Sequence, residues 1–95
     1  MSSLYDKVSF EISRLITQTY STSFSFAVRS LNPEMRKAIY SIYGFVRIAD
    51  EIVDTFHDHK KAVLLTDFEN DYYTAYREGI SINPVLHCFQ EVVKT

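Results

Sequence analysis

The chain has 95 residues, of which 46% are hydrophobic and 23% charged, a balance too apolar for an intrinsically disordered protein. Ten basic against twelve acidic side chains give a net charge of −2, so the basic excess typical of nucleic-acid binding is absent and no such partner is expected. Because only 2 Gly and 2 Pro are present, we exclude a many-stranded β architecture and expect one small helical domain over residues 1–95.

Residues 3–19 and 20–31 predict the first two helices. In the first, apolar residues recur at helical spacing, and we expect them to face the core: Tyr5, Val8, Ile12, Leu15 and Ile16. The second segment alternates as a strand would, but an isolated strand in a helical chain has no pairing partner. We therefore predict a short second helix that carries Ser21, Phe24 and Val28 on one face.

A third helix begins at Asn32-Pro33-Glu34, where asparagine suits the N-cap, proline the first turn and glutamate the positive helix terminus. It is predicted to run to about His57. Its apolar stripe, which we expect to face the core, comprises Met35, Ala38, Ile42, Val46, Ala49 and Val53.

A fourth helix is predicted from about 60 to 78 and ends at Gly79. Its inward-facing residues are expected to be Leu64, Leu65, Phe68, Tyr72 and Tyr76. Asn83-Pro84 repeats the earlier start signal and begins a fifth helix. That helix reaches Thr95 without a stop signal, which we interpret as truncation of a longer domain.

Cys88 is the single cysteine, which rules out an internal disulfide, and we predict that it is a small core residue. No apolar segment is long enough to span a membrane, and the N-terminus shows no signal-peptide core. These features predict a cytoplasmic protein and leave peripheral attachment to a membrane open. His57 and His59 lie in a polar bend and are interpreted as a solvated pair, not as metal ligands.

One row of side chains on the third helix contains the residue types that could bind a metal ion and a phosphate group. Tyr43, Arg47, Asp50 and Asp54 fall within about 60° of one another on the helix surface, next to the apolar stripe. Two carboxylates one turn apart suit Mg²⁺, which is often held by carboxylates together with substrate phosphates. Arg47 adds a planar donor fork for phosphate, and Tyr43 adds a hydroxyl. The row is typical of one half of a magnesium–diphosphate site.

The same row also has an ordinary interpretation. Acidic pairs spaced by four are common, and this chain has two more, Asp54/Asp58 and Asp67/Asp71. Arg47 and Asp50 are spaced as a routine helix salt bridge. Spacing alone therefore leaves a solvated helix face as the alternative to a metal site.

Four sequence blocks between residues 20 and 54 form a series, YSTSFSFAV, LNPEMRKAI, IYGFVR and ADEIVD. In this order and spacing they resemble the N-terminal part of the squalene/phytoene synthases, which are head-to-head prenyl synthases of the all-α isoprenoid synthase fold. The resemblance covers roughly residues 10 to 60, and residues 61–95 carry little signature. It implies that the chain forms the first helices of an incomplete helical bundle.

The resemblance also implies roles for individual residues. Asp50 and Asp54 match the first aspartate-rich motif, which is catalytic and binds Mg²⁺ bridged to a substrate diphosphate. Arg47 and Tyr43 match positions that contact this diphosphate. The segment that lines the prenyl site matches Ser21, Phe24 and Val28. Tyr20 stands where some relatives have histidine, so we assign it no proton-transfer role.

The implied function of the complete protein is head-to-head condensation of two prenyl diphosphates in isoprenoid or carotenoid biosynthesis, with Mg²⁺ as cofactor. Phytoene is favoured as product, and NADPH is implied only if squalene forms. The family's second aspartate-rich motif is missing after Asp54, so we expect the 95-residue chain by itself to be inactive.

The alternative function is a non-catalytic helical module that binds an apolar ligand or a protein partner, a possibility raised by the short chain and its 7 Phe and 7 Tyr. A different class of terpene synthase is a more distant alternative, against which the Ser21–Val28 block argues. If the bundle is incomplete, apolar surface is left uncovered, and we expect the fragment to self-associate.

Overall fold

The computed structural model describes residues 3–55 and 60–94. Within these ranges the chain forms five α-helices and no strand, which confirms the all-α prediction. They are α1 (Leu4–Tyr20), α2 (Thr22–Val28), α3 (Pro33–Asp54), α4 (Lys61–Glu78) and α5 (Pro84–Val93). The predicted bend with His57 and His59 lies outside the described residues, and α3 ends at Asp54, three residues before its predicted end.

The helix ends follow local chemistry that is visible in the sequence. Asn32 and Asn83 cap α3 and α5 with their side-chain oxygens, and a proline follows each. Gly79 ends α4 in the left-handed conformation at φ 77°, which glycine adopts without steric cost. These three predicted boundaries are confirmed.

α1 and α3 pack through small side chains. The buried residues of α1 are Ser9, Ser13 and Thr17, each one turn from the next. A Cβ atom placed on Gly44 of α3 would lie 3.0 Å from Ser13 Oγ and 3.4 Å from Ser13 Cα. The two backbones therefore meet at this point with no room for a further side chain.

The same two helices run in parallel. Ser13 contacts Gly44, and the ring of Tyr20 lies over the guanidinium group of Arg47, so the contacts advance in step along both helices. The short α2 and the turn after it return the chain to the start of α3. This crossover brings the C-terminal end of α1 beside the C-terminal half of α3.

An aromatic cluster joins α3 to the last two helices. Phe45 stacks on Phe89 with ring centroids 4.0 Å apart, and its centroid lies 5.4 Å from Phe68 and 5.8 Å from Tyr72. Such pairs contribute about 0.5–1.5 kcal/mol each beyond their buried area. These four rings are half-buried, so part of the aromatic content packs between helices, in line with the inward-facing position predicted for Tyr72.

Cys88 is a core residue, as predicted. It is 2% exposed, and its Sγ lies 2.7 Å from Ser41 Oγ of α3. Burial raises the pKa of the Cys88 thiol, which keeps it protonated and unreactive.

The predicted apolar stripes of α1 and α3 are not the buried faces, and this prediction is wrong. The residues that are instead more than two fifths exposed are Val8, Leu15, Met35, Ile42, Val46 and Val53. Tyr76 of α4, predicted to face inward, is also exposed. The reason is that helices approach most closely where side chains are small, so the seam forms at Ser13 and Gly44 and the larger residues are left beside it.

Among the described helices, none combines the length and the apolar character needed to cross a membrane.

The close approach predicts that Gly44→Ala destabilises the fold. Overpacking a tight core typically costs 1–3 kcal/mol, and the better helix propensity of alanine returns about 1 kcal/mol. We expect a net loss of about 1 kcal/mol in the free energy of unfolding, measured by urea denaturation followed by circular dichroism. In a Ser13→Gly background the clash is removed, so Gly44→Ala should become neutral or stabilising. Equal effects in both backgrounds would show that the two residues are not coupled.

Candidate functional site

The predicted row lies on the last three turns of α3. Tyr43 and Arg47 are half-buried, whereas Asp50 and Asp54 are exposed. Asp54 is the last helical residue, and Thr55 forms the C-cap. The row therefore has a partly covered end with a phenol and a guanidinium, and an open end with two carboxylates.

Arg47 is held at the covered end by two aromatic residues. Its Nη2 donates a hydrogen bond of 3.1 Å to the Tyr43 hydroxyl. Its Cζ atom lies 4.9 Å from the centroid of the Tyr20 ring and 5.5 Å from that of Tyr43. The hydrogen bond to Tyr43, helped by the charges of Asp50 and Glu51, raises the pKa of Arg47, so the group carries a permanent positive charge.

One donor of this guanidinium lacks a partner. Arg47 Nε is buried and makes no hydrogen bond within the described part of the chain. Leaving a buried donor unpaired typically costs 1–3 kcal/mol. This unpaired donor belongs to a cation that shares its helix row with the two exposed carboxylates of Asp50 and Asp54.

The three residues predicted to line the prenyl site lie in different surroundings. The Phe24 ring stacks on Tyr43 at 5.5 Å between centroids, which brings it to the row. Ser21 is the N-cap of α2, and its Oγ accepts a hydrogen bond of 3.3 Å from the Phe24 amide. Val28 is 4% exposed and lies in the interior. Their assignment as substrate-binding residues stays a prediction.

The C-terminal end of α3 carries excess negative charge. Asp50, Glu51 and Asp54 cluster there, where the helix dipole is already negative, and the last turn contains no basic residue. Lys61 from α4 donates to the Val53 carbonyl and offsets part of this charge. Oxygen donors with surplus negative charge fit Mg²⁺, which Asp50 and Asp54 would hold.

A second titratable cluster joins α1 to α5, and sequence reasoning missed it. His87 Nε2 lies 2.6 Å from Asp6 Oδ1 and 3.2 Å from Glu91 Oε1. The other oxygen of Asp6 accepts from the Ser3 amide and Ser3 Oγ accepts from the Asp6 amide, each at 3.1 Å, so the carboxylate also completes a capping box. The Ser3–Asp6 spacing is visible in the sequence, but nothing there pairs Asp6 with His87.

The geometry of this cluster is that of a structural clamp. The Ser81 amide donates to His87 Nδ1 at 3.3 Å, so the ring proton resides on Nε2 and is donated to Asp6. A metal ion would need the Nε2 lone pair that this proton occupies, although the three ligand atoms lie within 4.8 Å of one another. Asp6 is also fourteen residues from Tyr20 on α1, about 21 Å, which separates the clamp from the row.

A comparison with protein-family models matches residues 17–95, which is 79 of the 95 residues, to the squalene/phytoene synthase family. The matched range includes α2 to α5 and all the predicted site residues. Comparisons with curated protein sequences and with solved structures found no match.

The clamp predicts a loss of stability in acid that depends on Asp6. Hydrogen bonds from His87 and from the Ser3 amide hold the pKa of Asp6 well below 3.8, so the unfolded chain takes up this proton first. The stabilisation by Asp6 is therefore complete above about pH 4 and disappears as the pH falls further. The difference in unfolding free energy between the parent chain and Asp6→Asn should shrink between about pH 4 and pH 2.

Urea denaturation at several pH values measures this difference, with Asp67→Asn on the exposed face of α4 as the control. Burial and the neighbouring Asp6 raise the pKa of Glu91, so its protonation affects stability above about pH 4.5 and is separable from that of Asp6. A difference that stays constant down to pH 2 would contradict the assignment.

The charge at the end of α3 predicts that Asp54→Asn stabilises the metal-free chain. Removing one negative charge from the negative helix end is worth about 0.3–1 kcal/mol. The same variant should lose any increase in thermal stability that MgCl₂ with inorganic pyrophosphate gives to the parent. Thermal unfolding followed by circular dichroism tests both effects, and Asp71→Asn on α4 should show neither. A destabilised Asp54→Asn chain would show that this carboxylate serves the fold.

Proposed function

The chain belongs to the squalene/phytoene synthase family, and we propose that its α3 row is the first magnesium–diphosphate half-site for head-to-head condensation of two prenyl diphosphates. The observation that carries the proposal is the Arg47 guanidinium, held by Tyr20 and Tyr43 beside the open carboxylates of Asp50 and Asp54. A solvated helix face would need neither the aromatic contacts nor the half-buried cation.

Each residue of the row has a chemical role in this proposal. Asp50 and Asp54 would hold Mg²⁺, which when bound neutralises diphosphate oxygens and so favours departure of that group. Arg47 donates in-plane N–H groups to the same oxygens, and the Tyr43 hydroxyl adds one donor. The protein part of the site thus binds and orients the leaving group before the carbon–oxygen bond breaks.

The exposed apolar residues of α3 support a place for the prenyl chain. Ile42 and Val46 precede Asp50 by eight and four residues, so they share its helix face and are exposed. The stripe from Met35 to Val53 spans about 27 Å along the helix, a length suited to an extended prenyl chain. Phe24 lies against Tyr43 at the diphosphate end, where an aromatic face can stabilise an allylic cation by up to ~2 kcal/mol.

Several finer features belong to the same proposal. We favour phytoene over squalene as product, with NADPH needed only for squalene. Prenyl diphosphates are the proposed partners, and the exposed apolar residues favour self-association of this chain and allow peripheral contact with a membrane. Leu15 and Phe26, at 62% and 72% exposed, add to that surface.

The experiment is an assay of product formation from farnesyl and geranylgeranyl diphosphate with Mg²⁺, in the protein encoded by the whole gene. Asp50→Asn and Asp54→Asn should each lower the rate at least about a hundredfold, because metal stabilisation of a leaving group is worth several kcal/mol. The matched pair Asp67→Asn and Asp71→Asn, also exposed and spaced by four, should leave it unchanged. The 95-residue chain alone should form no product.

Two results would contradict the proposal. Undiminished function after both α3 substitutions would favour the helical module that binds an apolar ligand or a protein partner. Equal losses from the α3 and the α4 pairs would show that the effect arises from general destabilisation and not from the row.

A further inference from the structure

Tyr20 contacts the row from a different helix. It is the last residue of α1 and half exposed, and its ring centroid lies 4.9 Å from Arg47 Cζ. We propose that Tyr20 is the residue that positions Arg47. Only the consequence of this role for diphosphate binding rests on the proposed function. Tyr43, one turn before Arg47 on α3, contacts the same guanidinium through its ring and its hydroxyl.

The Tyr20 contact supplies what Tyr43 alone does not. An arginine side chain has many rotamers, and fixing it costs conformational entropy. Tyr43 and Arg47 both lie on α3. Their hydrogen bond therefore fixes the guanidinium relative to α3 but not relative to any other helix. The Tyr20 ring comes from α1 and therefore fixes the guanidinium relative to the close seam at Ser13 and Gly44.

The orientation is suited to an oxyanion. Aromatic rings cover the faces of a guanidinium and leave its in-plane N–H groups at the edge, which is the edge that binds phosphate in a bidentate manner. One of these donors, Nε, is buried and has no partner among the described residues. Because the rings already fix the guanidinium, an anion that binds at its edge orders the side chain at a smaller loss of conformational entropy.

Glu51 is kept from competing for Arg47. The two residues are spaced by four on α3, where a helix salt bridge commonly forms. Glu51 instead accepts a hydrogen bond of 2.6 Å from Thr55 Oγ1. Burial and the negative charge of Glu51 raise the pKa of Tyr20, so its hydroxyl stays protonated beside that carboxylate. The Tyr20 ring is the part of the side chain that contacts the cation.

The test compares Tyr20→Phe, which keeps the ring, with Tyr20→Leu, which removes it. The first readout is the Arg47 Nε–H signal in ¹⁵N–¹H NMR of this chain without ligand. Its exchange with water should accelerate about tenfold in Tyr20→Leu and remain close to the parent value in Tyr20→Phe. Tyr73→Leu, an exposed tyrosine on α4, is the control and should have no effect.

The second readout is the dissociation constant for inorganic pyrophosphate with Mg²⁺. A cation–π contact of ordinary strength predicts about fivefold weaker binding for Tyr20→Leu and near-parent binding for Tyr20→Phe. In an Arg47→Ala background, Tyr20→Leu should have no further effect, because the residue acts through Arg47. Urea denaturation checks that each variant is folded.

The outcomes separate the two proposals. An unchanged Nε–H signal in Tyr20→Leu overturns the role of Tyr20, whatever the binding result. A parent chain that does not bind magnesium pyrophosphate overturns the proposed function, and in that case an accelerated Nε–H exchange still confirms that Tyr20 holds Arg47. An effect of Tyr20→Leu that persists without Arg47 also overturns the positioning role.

Discussion

The close approach of α1 and α3 at Ser13 and Gly44 is the constraint on which the rest of the structure depends. Because a Cβ atom at position 44 would meet Ser13 at 3.0 Å, the two helices lie as near as their backbones permit. Their parallel direction then sets what meets farther along, and Tyr20 arrives over Arg47. A contact between two small residues thereby determines the position of the cation in the candidate site.

The same constraint explains the exposed apolar surface. A helix pair that packs through serine, threonine and glycine buries little area per contact, and its large side chains remain outside the seam. In an isolated chain such a surface is a liability. On α3 this exposed apolar surface leads along the helix towards Asp50 and Asp54.

The two acidic clusters show how a structural group differs from a candidate functional one. Asp6 uses both carboxylate oxygens in internal hydrogen bonds, to Ser3 and to His87, and its pKa falls accordingly. Asp50 and Asp54 lie in the open, at a helix end whose dipole repels them. Satisfied groups stabilise the fold, whereas groups that are unfavourably placed and open to solvent remain available to a ligand. The nearby Nε of Arg47 is buried, but it also lacks a hydrogen-bond partner among the described residues.

The sequence by itself determined the helices, their caps and the row from Tyr43 to Asp54, because these depend on interactions within a few residues along the chain. It also carried the family resemblance, since that rests on ordered blocks. Only the tertiary structure decided which face of α1 and α3 is buried, that Asp6 meets His87, and that Tyr20 covers Arg47. Helical periodicity identifies an apolar stripe, but it does not report how closely two backbones can approach. In this chain the interface between α1 and α3 forms where Ser13 and Gly44 let the backbones approach closely, and the larger apolar residues lie beside it.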